Sequence, residues 1–140
     1  MVIAGRFLLD TCAVIWIVED QAISPDAMSA LNREAAEGRP VMVSPISAWE
    51  RGMLAARGRL SSPLDPKAWF GRLAARPEVA LADLTADILT DASFLPQPIH
   101  RDPADRILIA TARALDLTII TRDRHILEYA EVGHVRALAC

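Results

Sequence analysis

Five acidic residues stand where a carboxylate can do chemistry. Asp10 directly follows the apolar run Phe7-Leu8-Leu9, and Asp123, in Thr121-Arg122-Asp123, follows the apolar run that ends at Ile120. A carboxylate at the end of a strand can cap the next helix or close an Asx turn, and it can equally face a ligand. Glu50 is more informative. At 3.6 residues per turn, Ile46, Trp49, Met53 and Leu54 form an apolar helix face, and Glu50 lies one turn from both Ile46 and Leu54, inside that face. Ser47-x-x-Glu50 fits the spacing of a capping box. A helix opened by Ser44-Pro45 instead leaves Glu50 in its interior, where a carboxylate needs a proton, a cationic partner or a metal ion. Asp102 precedes Pro103 and fits an N-cap. Asp105 falls in the first turn of the same helix, at the margin of the expected buried stripe Ala104, Leu108, Thr111, Ala112 and Leu115, with Arg106 and Arg113 pointing away. The helix dipole there favours the ionised acid.

Asp10, Glu50, Asp105 and Asp123 all occupy places that an α/β fold can bring to one edge. Two carboxylates about 4 Å apart repel by about 4 kcal/mol at an effective dielectric near 20, so several together require a cation or protons. An all-oxygen set selects a hard ion, Mg²⁺ or Mn²⁺, over zinc. His100, His125 and His134 lack the helical spacing of zinc ligands.

The elements that must position these acids are short. Arg6 to Leu9 reads as a buried strand, Ala13 to Val18 as the start of a crossover, and Ser24-Pro25 as the start of a helix running to Gly38. Val41 to Val43 is a second strand. Ser44-Pro45 opens a helix to about Arg57, ended by Gly58, and Asp65-Pro66 opens another with Trp69, Phe70 and Leu73 on one face. Val79 to Leu81 fits a strand, Thr85 to Phe94 a helix, Asp102-Pro103 a helix to about Leu115, Leu117 to Ile120 a β-branched strand, and Val135 to Leu138 a final strand. Short apolar strands alternating with amphipathic helices predict an α/β sandwich around a mostly parallel sheet. Ligands in such folds bind beyond the carboxyl ends of the strands, which is where the acids fall.

Composition agrees. The 140 residues are 52% hydrophobic and 24% charged, enough to build one domain over residues 1–140 with its own core. Cys12 and Cys140 are too few and too far apart for a disulfide framework or a cysteine zinc site, which fits a reducing cytoplasm. No apolar run reaches the roughly 20 residues that span a bilayer, and no signal-peptide pattern opens the chain, so no membrane partner is expected. Fifteen basic against eighteen acidic residues exclude a broad positive face.

Leu8-Leu9-Asp10-Thr11, Ser44-Pro45-Ile46-Ser47-Ala48-Trp49-Glu50, His100-Arg101-Asp102-Pro103-Ala104-Asp105-Arg106 and Ile120-Thr121-Arg122-Asp123, in this order over nearly the whole chain, resemble the PIN-domain family, and within it the VapC-like toxins. The resemblance implies a PIN-like three-layer sandwich and a divalent-metal-dependent endoribonuclease. It further implies the toxin role in a type II toxin–antitoxin pair, usually as a homodimer inhibited by a small antitoxin. Carried onto this sequence, the catalytic and metal-binding residues would be Asp10, Glu50, Asp105 and Asp123, with Mg²⁺ or Mn²⁺ as cofactor and RNA as substrate. Asp102 would assist or only cap its helix, and Thr11 and Thr121 match polar positions near the metal. The chain departs from the subgroup at Cys12, where His is frequent, and at Arg51, where an aliphatic residue is common.

Arg101, Arg106, Arg122 and Arg124 are the side chains that could draw RNA past the acids, or else pair with neighbouring carboxylates. Trp16 with Ala13-Val14-Ile15 could form a groove for a second copy or an antitoxin, or be core. Two other readings stand beside this one. A haloacid-dehalogenase-like phosphohydrolase would use Asp10 as nucleophile, but it wants an acid two residues on, where this chain has Cys12. A catalytically silent PIN-like module would bind RNA or protein without turnover.

Overall fold

Side chains alternate across a strand, so a strand buried on both faces must feed two cores. In the computed structural model, which describes residues 5–59, 64–99 and 101–140, β1 (Phe7–Leu9) does this within two residues. Leu8 joins one apolar cluster and Leu9 the other, and in β4 (Thr118–Thr121) Ile119 and Ile120 divide in the same way. All four are almost wholly buried. Burial of each is worth about 1.5–3 kcal/mol.

The chain runs β1, α1 (Thr11–Val18), α2 (Pro25–Ala36), β2 (Val41–Val43), α3 (Ile46–Ala56), α4 (Pro66–Ala74), β3 (Val79–Leu81), α5 (Ala86–Ser93), α6 (Pro103–Leu115), β4, α7 (Arg124–Glu131) and β5 (Arg136–Ala139). The five strands form one parallel sheet in the order β3-β2-β1-β4-β5. Helices α1, α2 and α4 pack on one face around Val14, Ala27, Trp69 and Leu73. Helices α5, α6 and α7 pack on the other around Ile88, Leu108 and Ile126. The result is the expected three-layer α/β sandwich. Helix α3 joins the layers, with Ile46 against the second cluster and Leu54 against the first.

Most boundaries follow local chemistry. Ser24, Asp65, Thr85 and Asp102 each accept a backbone N–H of the first turn they cap, and proline follows three of them. Gly38 and Gly58, just beyond α2 and α3, take φ of +70° and +68°, which glycine adopts without a Cβ penalty. Among the described residues, no helix is long and apolar enough to cross a membrane.

Two expectations are corrected. In α3 the buried side chains are Ser47 and Arg51, while Trp49 is 56% exposed, so the buried face is rotated from the Ile46-Trp49-Met53-Leu54 stripe. Of the two starts open to α3, Pro45 stands at the N-cap and no capping box forms at Ser47, so Glu50 lies inside the helix as the Ser44-Pro45 start requires. In α6, Leu115 is exposed and Ile109 and Ala110 are buried instead, because the helix lies between α5 and the sheet and is covered around most of its girth. Helix α7 was not anticipated. His100 lies outside the described residues.

Candidate active site

From β1 the chain moves outward through β2 to β3, then crosses back to place β4 on the other side of β1. The order therefore reverses between β1 and β4, and at such a switch point the loops leaving the two strands diverge and open a crevice at their carboxyl ends. Asp10 leaves β1 there and Asp123 leaves β4. A cleft of about 340 Å³ occupies the crevice, lined by Asp10, Thr11, Cys12, Trp16, Glu50, Asp102, Asp105, Arg122 and Asp123. All four sequence-predicted acids, and Asp102 with them, thus meet in one place.

Three of the acids also begin helices. Asp10 accepts the Ala13 N–H at 2.7 Å, Asp102 the Asp105 N–H at 3.0 Å, and Asp123 the Ile126 N–H at 3.1 Å. The capping reading of these three residues is therefore met, and the caps leave them on the lining of the cleft. The N-termini of α1, α6 and α7 border the same cleft, and their dipoles partly offset the concentration of negative charge.

Hydroxyl groups hold the remaining geometry. Thr121, fully buried, donates to Oδ2 of Asp10 and accepts the Asp123 N–H at 2.9 Å. Thr11 donates to Oε1 of Glu50 and shares a 2.9 Å hydrogen bond with Ser47. Ser47 and Thr11 thereby fix α3 against α1 and turn Glu50, which sits three residues beyond Ser47, toward the cleft.

The charge is only partly compensated. Burial raises the Asp10 carboxyl above its ordinary value; hydrogen bonds from Thr121 and Ala13 oppose the rise and the Asp123 charge adds to it. Burial likewise raises Glu50, against the Thr11 bond and with the charges of Asp102 and Asp10. Asp105 is pushed up to about 8, by burial first and then by Asp102, Asp123, Glu50 and Asp10. The Cys12 thiol rises to about 11 through burial and the charges of Asp10, Glu50, Asp105 and Asp123. A set of oxygen donors that raise one another's affinity for protons fits a hard divalent cation, which relieves the same repulsion. Among the described residues, no three acidic, thiol or imidazole groups converge closely enough to share an ion.

The candidate cations separate. Arg122 lines the cleft, whereas Arg106 donates to the Ala92 and Ser93 carbonyls at the end of α5, and Arg124 pairs with Glu128. Arg101 is exposed and lies with Arg106 beside Ser93, outside the cleft lining. Ala13, Val14 and Ile15 are core, and Trp16 lines the cleft beside the acids. Cys12 and Trp16 are cleft residues that the acidic pattern alone did not single out; their i, i+4 spacing on the helix after Asp10 was the available signal.

A parallel sheet with acids gathered at its switch point defines an α/β protein with an acidic cleft beyond its strand ends, and comparison with known proteins makes the class specific. The PIN domain family model matches residues 7–132, and the chain belongs to that family. It is 32% identical over 120 residues to Ribonuclease VapC22 of Mycobacterium tuberculosis, covering 85% of this chain and 88% of that protein. Its fold is similar to that in the crystal structure of VapBC2 from Rickettsia felis bound to a promoter DNA fragment, with TM-score 0.66, 12% identity and 98% of each chain covered. A toxin–antitoxin complex from Klebsiella pneumoniae gives TM-score 0.56 at 16% identity, covering 95% of this chain and 96% of that one. The family match displaces the phosphohydrolase reading of Asp10.

Proposed function

We infer that this chain is a VapC-like endoribonuclease, the toxin of a toxin–antitoxin pair, hydrolysing RNA with Mg²⁺ or Mn²⁺ held by Asp10, Glu50, Asp105 and Asp123. One observation carries the reading: acids from four separate segments meet at the switch point, with Asp10 and Asp123 fixed by the helices they begin and Asp105 in the first turn of the helix that Asp102 caps. The likeness to Ribonuclease VapC22 supports the activity.

A bound divalent ion there supplies activation of a water and neutralisation of the charge developing on the scissile phosphate. The chain's own groups do the rest. Thr121 keeps Asp10 oriented and Thr11 keeps Glu50 oriented, so neither carboxylate must be ordered when substrate arrives. Glu50 is a ligand or orients the attacking water. Asp105, whose carboxyl is pushed up to about 8 by burial and the neighbouring acids, would have to lose its proton to serve as a ligand. Arg122 supplies positive charge at the edge of an acidic cleft that otherwise repels a polyanion.

A small antitoxin is the expected protein partner, and a homodimer the expected assembly, in the cytoplasm where RNA is met. Because Ala13–Ile15 are buried, the apolar lining open to a partner comes instead from Ile17, Val18, Met28 and Leu31, around a hollow of about 280 Å³.

Cleavage of labelled single-stranded RNA, with Mg²⁺ or Mn²⁺ and with EDTA, tests the activity, beside Asp10→Asn. Metal-dependent cutting that disappears in the variant is expected. RNA binding without cutting across several RNAs would replace this reading with the silent binding module.

A further inference from the structure

Arg122 is set apart from the other exposed arginines that are held in place, Arg113 and Arg136, by the aromatic ring its guanidinium lies over. Its guanidinium carbon lies 3.9 Å from the centroid of the Trp16 ring, well inside the range of a cation–π contact. Its Nη2 donates to the Ala22 carbonyl at 2.6 Å. Burial raises the pKa of the nearby Cys140 thiol, and the guanidinium acts on that thiol to lower it against the rise. Neither partner is a carboxylate, although the acids share the cleft. Trp16 is the only aromatic among the described residues lining that cleft.

We propose that the Trp16–Arg122 stack is a nucleobase platform, on which a base of single-stranded RNA next to the reacting phosphate lies flat. The proposal rests on the ribonuclease reading and extends it to how substrate is seated. Planar guanidinium groups and aromatic rings are the surfaces on which unstacked RNA bases lie. The hydrogen bond to Ala22 uses the edge of the guanidinium, and Trp16 covers one face. Arg122 nevertheless remains exposed, so the accessible surface is suited to stacking. A phosphate would lie at the divalent ion the carboxylates are proposed to hold; Asp, Glu and Thr side chains offer a base hydrogen-bond partners but no flat surface to stack on. The stack supplies it, on the rim that Arg122 shares with Asp123 one residue away. A platform of this kind selects for RNA whose bases are already splayed, in loops or unpaired stretches, and accepts any base, since every base has a π face.

Nucleoside 5′-monophosphates and ribose 5-phosphate separate base from phosphate without being cut. With Mg²⁺ present, amide and side-chain ¹H–¹⁵N spectra are followed as each is added. The nucleotides are expected to shift the Trp16 indole N–H and Arg122 Nε–H upfield by ring current, and to bind about tenfold tighter than ribose 5-phosphate. Arg122→Lys keeps the charge and loses the plane, so nucleotide affinity should fall toward that of the sugar phosphate; Arg122→Ala should show the same loss of base dependence. Equal shifts with ribose 5-phosphate would make Arg122 a phosphate contact and overturn the platform, as would nucleotide binding that leaves both resonances unmoved or an absence of binding at millimolar concentration. Cutting of RNA by the same preparation is scored separately, so loss of the platform and loss of the ribonuclease reading are distinct results.

Discussion

Thr121 of β4 donates its hydroxyl to Asp10 of β1 and accepts the backbone N–H of Asp123. One buried oxygen therefore ties together two of the acids, from strands at opposite ends of the chain. Thr121→Val keeps shape and volume and removes that oxygen, leaving the Asp10 carboxylate short of a donor. A loss of about 1–3 kcal/mol in urea denaturation is expected, with Thr121→Ser recovering most of it.

Stability of the metal-free chain should fall as pH rises. Asp10, Glu50 and Asp105 all have raised pKa values in the folded state, Asp105 to about 8, whereas unfolded carboxyls titrate near about 4. Between those values the folded chain binds more protons than the unfolded one, so the slope of unfolding free energy with pH is negative. Thermal melts in EDTA from pH 5 to pH 8.5 should show a declining midpoint. Added Mg²⁺ should flatten the decline, and Asp105→Asn should flatten it without metal.

Arg51 is 1% exposed, stacks on Trp69 at 4.6 Å to the ring centroid, and has no hydrogen-bond partner for Nε or Nη2 among the described residues. A buried cation without a carboxylate costs more in desolvation than a cation–π contact of about 2 kcal/mol returns. Arg51→Met, which retains length and apolar contact, is expected to stabilise the fold by about 1 kcal/mol or more in chemical denaturation. A loss of stability would mean that Arg51 is paired.

Cys12 is solvent-accessible as a residue, but its thiol lies in the acidic cleft and should be a poor nucleophile, because partial burial there and the four carboxylates raise it from its ordinary value to about 11. Each unit removes a factor of ten in thiolate, so alkylation by iodoacetamide at pH 8 should run about a hundredfold slower than at an ordinary thiol. Mg²⁺, by cancelling the carboxylate field, should speed it. This rate reports metal binding without any RNA.

How far the sequence reveals the fold depends on whether the deciding contact is local. The caps Ser24, Asp65, Thr85 and Asp102 act within three residues, and β1, β2 and β4 read from their apolar runs, so these elements and the meeting of the acids beyond them were legible. Helix α7 was missed although Asp123 caps it and Ile126 and Tyr129 bury its inner face, because eight mixed residues after a turn look like loop. The burial of α3 could not be read locally either. Its inner face is chosen by Thr11, which binds Ser47, and by Trp69, which covers Arg51, and neither is near it in sequence. The same holds for Arg122, whose companion Trp16 lies across the cleft in another element.

Asp10, Asp102 and Asp123 each begin a helix at the edge of the acidic cleft. Replacing an aspartate N-cap by alanine costs about 1 kcal/mol, so a lineage that let these acids drift to small apolar residues would lose stability together with chemistry. Asparagine caps a helix as well as aspartate does, which leaves it as the cheap exit: a descendant that had given up turnover while keeping its shape would be expected to carry Asn at these three positions, and this chain carries Asp at all of them.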